Sequence, residues 1–157
     1  MGTYRPDRIS VDLTFTTPAA TVTAGDLLAD VQALALPSGI GGGPVNLMTM
    51  HIRDEDDNTI PVDLAVVFAR ASTSLGTEDQ AFAPSDLLAR DITYNHFIDS
   101  SEWLDIGGSK IYSASNLNIL LPTDGSNPAN VYVGLWLPTT QWVATATGIK
   151  ATFGFTL

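Results

Sequence analysis

Five consecutive residues, Asp54, Glu55, Asp56, Asp57 and Asn58, form the one constellation in this 157-residue chain whose types and spacing look chemical. Asp54, Asp56 and Asn58 match the first three ligand positions of a calcium loop. The match then fails: position six is Thr59 where the loop needs glycine, and position twelve is Ala65 where it needs a bidentate glutamate. Carboxylates lose their hydration on entering a core, so the stretch reads as a solvent-facing reversal. His51 and His96 have no ligand motif around them and read as hydrogen-bonded structural residues. The chain has no cysteine, which removes disulfides, thiolate metal sites and a thiol nucleophile. The glycine-rich loop at 38–44, SGIGGGP, lacks the Gly-Lys-Ser/Thr ending of a phosphate loop and reads as a flexible hinge. There is no Gly-x-Ser-x-Gly elbow, and no spacing sets two carboxylates across a cleft. No catalytic residue, no metal ligand and no cofactor is therefore named, and the expectation is a protein that is not an enzyme.

Two features point to contact rather than reaction. Trp142 sits in a Thr-rich loop, PTTQWVATATG, where an exposed aromatic would be a contact anchor. The polar first eight residues read as an extended arm, on which Tyr4, Arg5 and Arg8 could meet an acidic neighbour. The competing reading of that arm is a plain solvated tail. Charge limits the partners: 7 basic against 17 acidic residues, net −10, does not support binding to a phosphate backbone and suits a partner with a basic surface. No segment approaches the ~18 apolar residues that span a bilayer, and no apolar stretch follows the N-terminal charges. The expectation is a protein off the membrane, made without export.

The elements that must carry these residues are strands. ISVDLTFT at 9–16 alternates, with Ile9, Val11, Leu13 and Phe15 inward. Val45–Ile52 places Met48, Met50 and Ile52 on one face and Val45 and Leu47 on the other, which predicts cover on both sides. Val62–Arg70 alternates, and the acidic knot between the two runs predicts an antiparallel hairpin, with Pro61 just ahead of its second strand. Residues 19–36 stay open between a helix over DLLADVQALAL, capped by Asp26, and two short strands. Pro84, Ser85 and Asp86 mark one helical turn. Short strands follow at 94–98, 103–106, 110–115 and 117–121. NVYVGLWL at 130–137 reads as a central strand, and IKATFGFTL alternates to the end of the chain. The whole reads as an arm, 1–8, and one β domain, 9–157.

Four stretches carry a resemblance: IGGGPVNLMTMHIRDEDDNTIPVDLAVVFAR, SLGTEDQAFAPSD, NVYVGLWLPTTQWVATATG and IKATFGF. The order is an Asp-rich turn between strands, a Phe-Ala-Arg triplet, a leucine-glycine turn, a valine-tyrosine-valine strand and a Thr-rich loop. It resembles the head decoration, or cement, proteins of tailed bacteriophages over residues 39–155. The resemblance implies an all-β antiparallel sandwich of jelly-roll type, with at most one or two short helices. It implies a virion protein made in the host cytoplasm that sits on the capsid exterior as a homotrimer and clamps major capsid protein subunits. The alternative is another virion component, a tail, neck or fibre-base protein with a carbohydrate-binding sandwich, motivated by Trp142 and Trp103 as exposed platforms. A glycosidase-like β protein stands last.

Overall fold

The computed structural model of the chain describes residues 8–37, 42–56, 62–126 and 128–157. In chain order these form β1 (Arg8–Thr14), β2 (Thr21–Val22), β3 (Leu27–Ala35), β4 (Val45–Asp54), β5 (Leu64–Ala69), α1 (Asp86–Ala89) and β6 (Ile92–Ile98). A 3-10 turn (Ser100–Glu102) leads to β7 (Leu104–Asp105), β8 (Lys110–Ala114), β9 (Ile119–Leu121), β10 (Asn130–Trp136), β11 (Trp142–Val143) and β12 (Ile149–Thr156). One sheet runs β1-β12-β4-β8-β7, with β9 also paired to β4. The second runs β3-β10-β5-β6, and β2 pairs with β11. If the eight long strands β1, β3, β4, β5, β6, β8, β10 and β12 are counted one to eight, the sheets read 1-8-3-6 and 2-7-4-5. That is the strand order of a jelly roll, so the expected all-β sandwich is the fold observed.

The core lies between the sheets. β12 and β4 send in Phe153, Phe155, Leu47, Met50 and Ile52; β5, β10 and β3 send in Val66, Phe68, Val133, Leu135, Leu28 and Leu34. Phe68 and Phe153 meet edge to face at 5.7 Å and 83°. A second, smaller core lies outside the second sheet, where Leu75 covers Leu27 and Val67. Gly134 makes room for that cover, because a Cβ there would stand 2.9 Å from the Leu75 side chain.

Three expectations change in the structure. β4 and β5 are not a hairpin: they lie in opposite sheets, and the acidic segment crosses between them. The reason is burial, since all six residues of β5 are buried and both its faces need cover. Residues 57–61 of that crossing, including Asn58 and Pro61, lie outside the described residues. β4 is not covered on both sides either. It pairs Gly154 with Thr49 but Phe155 with Leu47, so Met48 is an extra bulged residue. The bulge shifts the parity, and Val45, Leu47, Met50 and Ile52 are all buried.

Of the two readings of residues 19–36, the strands are observed and the helix is not: β2 is short, and β3 runs nine residues over the expected helix. Against β10, three residues of β3 (Ala29 to Gln32) span two, and then two span one (Leu27 to Ala29). These bulges break the period-2 alternation and produce the spacing that imitates a helical face. They also leave Asp30 free to hold the outer cover, where its carboxylate accepts the Leu75 N–H at 2.7 Å. The predicted helical turn at Pro84–Asp86 is present as α1. The final alternation holds through β12, although Leu157, expected inward, lies past the strand and is 49% exposed.

Phe68 fills the space between the sheets with no exposure, so Phe68→Ala should lower unfolding stability by about 3–5 kcal/mol. Urea titration followed by far-UV circular dichroism measures it.

Candidate interaction surfaces

The acidic stretch does its work inside the molecule. Asp54 is 1% exposed at the end of β4, and its carboxylate accepts the Asp56 N–H at 2.8 Å. Half-buried Asp56 accepts the Trp142 indole N–H at 2.8 Å and the Thr145 N–H at 2.9 Å, and it also accepts the Thr145 hydroxyl. Gly148 lets that carboxylate in, for a Cβ there would lie 1.7 Å from Asp56 Oδ1. The solvated reversal expected at these two aspartates is thus corrected: desolvation is tolerated because each buried oxygen meets a donor. Among the described residues no three His, Cys, Asp or Glu side chains gather to hold a metal ion.

Trp142 is corrected with it. The ring is fully buried, carried on β11, and the Thr-rich loop folds back to place it against Trp103 at 6.2 Å. Trp103 is half-buried in turn and donates its indole N–H to the Val62 carbonyl at 2.8 Å. Neither tryptophan is the exposed contact platform that the sequence predicted. Trp136 lies on the outer face of the second sheet, stacked on Phe82 at 4.9 Å. Tyr4 and Arg5 lie outside the described residues. Arg8 is exposed and opens β1, paired with Thr156, so the strand begins one residue inside the expected arm.

The two open seams of the sandwich are closed by side chains. Along one, Gln32 bonds both backbone groups of Thr16, at 3.3 and 3.2 Å. Along the other, His96 on β6 takes Tyr94 at 3.1 Å through Nδ1 and Tyr112 on β8 at 2.7 Å through Nε2. This answers the sequence reading of His96 as a hydrogen-bonded structural residue. Burial holds the His96 imidazole below its ordinary value, opposed by the Glu102 carboxylate. Burial pushes the Tyr112 phenol up, helped by Glu102 and Tyr94. At the far end Asp124 gathers the 124–132 turn, accepting from Ser126, Asn130 and Tyr132. The bonds from Ser126 and Asn130 hold its carboxyl well below the usual range.

What stays open is the outer face of the first sheet. Side chains alternate out along β1, β12 and β4, so one row across the strands reads Thr14, Lys150, Arg53, Ile111 and Leu104. The next reads Asp12, Thr152, His51 and Ser113, with His51 Nδ1 2.7 Å from the Ser113 hydroxyl. A hollow of ≈ 420 Å³ is bordered by Arg8, Ser10, Met48, Asn116 and Gly154. A second hollow, ≈ 240 Å³, lies over Asp12, His51, Arg53 and Lys150. Arg53 and Lys150 were legible as outward positions from their alternation with Ile52 and Ala151. Their meeting with Leu104 was not, because it depends on strand order.

The class defined by this geometry is an all-β jelly roll with side-chain-locked ends and one open sheet face. No helix among the described residues is long and apolar enough to cross a membrane. No family model and no curated protein matches the chain. Among solved structures it is similar to PRD1 vertex protein P5, at 13% identity over 96% of each chain with a TM-score of 0.36. It is also similar to a chain of the Israeli acute paralysis virus full particle, heated to 63 degrees. That match has 10% identity over 96% of this chain and 70% of that one, with a TM-score of 0.32. A chain of the native Kashmir bee virus virion at neutral pH matches at 10% identity, over 96% and 69%, with a TM-score of 0.32. Likenesses of this depth carry no argument about function, and the jelly-roll assignment rests on the strand order alone.

Asp56→Ala should cost about 2–3 kcal/mol and shift tryptophan emission, because a buried indole N–H is left without its acceptor. Asp56→Asn, which keeps an acceptor oxygen, should lose less. For His96 the folded state favours the neutral ring, so the unfolded chain takes up protons first as pH falls. Its contribution is complete above the unfolded value near 6.5 and is lost below it. The urea midpoint of the parent chain should therefore fall more between pH 7.5 and pH 5 than that of His96→Phe. Equal slopes would remove His96 from the pH response.

Proposed function

We propose that this chain is a non-enzymatic structural protein of a phage virion, a decoration protein that grips major capsid protein subunits on the outside of the head. One observation carries the reading: the stretches that resemble the decoration family fall on the load-sharing parts of the jelly roll. They supply β4 and β12, paired at the middle of one sheet, and β5 and β10, paired at the middle of the other. They also supply the 74–86 cover and the loop clasped by Asp56. The work of such a protein is interface burial. A standard interface covers ~1,600 Å², and a homotrimer repeated by capsid symmetry adds avidity to contacts that are individually weak. The carbohydrate-binding alternative loses its motivation, because Trp142 is buried and Trp103 is spent on the core.

The test is depletion. Heads stripped of this protein should release DNA at lower temperature than complete heads, and adding back the purified chain should restore resistance. Depleted heads as robust as complete ones, or a particle map that places the chain on the tail, would sink the reading.

A further inference from the structure

The charges of the chain are not spread evenly. Among the described residues the outer face of the first sheet holds Arg8, Arg53 and Lys150, three of the 7 basic residues, against Asp12 and Glu55, with Asp105 exposed on the β7 edge. Glu55 is shared between two of these cations, 3.3 Å from Arg53 and 2.5 Å from Lys150, so a single carboxylate faces both. The other side of the sandwich is the reverse. Around β3 and the cover segment lie Asp26, Asp30, Glu78, Asp79, Asp86 and Asp91, with Arg70 and Arg90 the basic residues among those described. The molecule is therefore a charge dipole across its two sheets.

The cationic row continues into apolar surface. Lys150 and Arg53 are followed across the sheet by Ile111 and Leu104, and Leu104 is 64% exposed. Ile106, in the same β7–β8 hairpin, is 54% exposed. Exposed apolar side chains beside arginine are the composition of contact anchors. The hollow of ≈ 240 Å³ over Arg53, Lys150 and His51 gives an incoming group a place to sit.

We infer that this face is the docking surface and that its occupant is an acidic protein surface, met by Arg53 and Lys150 with Leu104 and Ile106 as apolar anchors. The inference rests on the decoration reading and adds to it the side of the jelly roll that faces the head: β1-β12-β4-β8-β7 inward, β3-β10-β5-β6 outward. Net charge alone favours a basic partner. At contact, however, charges beyond about 8 Å are screened at physiological salt, and the local row decides. The dipole then orients the approach, since the opposite orientation sets six carboxylates against the acidic partner. Nucleic acid is a poor occupant, because three cations interleaved with two carboxylates release few counterions.

The experiment uses the full chain and heads depleted of it, with binding measured by co-sedimentation across a salt series. Binding of the parent chain should weaken as NaCl rises. Arg53→Glu with Lys150→Glu should weaken it at least about tenfold, and Leu104→Ser should weaken it at unchanged salt dependence. Arg70→Glu, which reverses a cation on the opposite side, should bind as the parent does. Matching thermal melts for all variants show that the fold is kept. If the parent binds and the double reversal binds equally well, the docking face is elsewhere and the decoration reading survives. If the parent does not bind at all, the decoration reading itself fails. Binding to naked DNA that the double reversal abolishes would overturn the assignment of an acidic protein partner.

Discussion

The polar groups that close the rim of this sandwich are paired by directed bonds, and that pairing shapes the molecule more than any other constraint. The apolar attraction between the sheets is large but has no direction. Directed bonds at the rim decide how the sheets close. Asp56 ties the crossing segment to Trp142 and Thr145 at one end, Gln32 ties one seam to Thr16, and His96 ties the other through Tyr94 and Tyr112. Phe68 and Phe153 can pack edge to face because these clasps hold β5 and β12 opposite one another. The Asp56 carboxylate and the His96 imidazole are therefore structural, each committed to its own partners.

With the inner groups committed in this way, the exposed surface is left to carry function. The bulge at Met48 borders a hollow in the outer face of the first sheet. The same alternation that buries Ile52 and Ala151 turns Arg53 and Lys150 outward beside Leu104. On the other sheet Leu75 and its cover, held by Asp30, shield the outer face over Leu27 and Val67, while Phe97 stays exposed on β6. One face is thus partly covered and acidic, and the other open and richer in cations.

Much of the fold was legible. β1 and β12 follow from alternation alone, because period 2 is a property of neighbouring residues, and β10 follows from an apolar run that fills both faces. The misreadings cluster at bulges and at polar residues. β3 looked helical because two extra residues break its alternation, and β4 looked buried on both faces because Met48 shifts its parity. In the candidate site Arg8 was legible as an exposed cation, whereas Trp142 was assigned to solvent by the polarity of its loop.

The sequence by itself determined the class of the molecule: mainly strands with at most one or two short helices, no thiol chemistry, and a strongly acidic surface. These depend on composition and on residues a few positions apart. Only the tertiary structure decided that the acidic knot is a clasp, that Trp142 is core, and that Arg53, Ile111 and Leu104 form one row. The indole that Asp56 binds lies 86 positions away, and the cost of burying a charge is set by whichever donors the fold delivers to it, which no local pattern encodes.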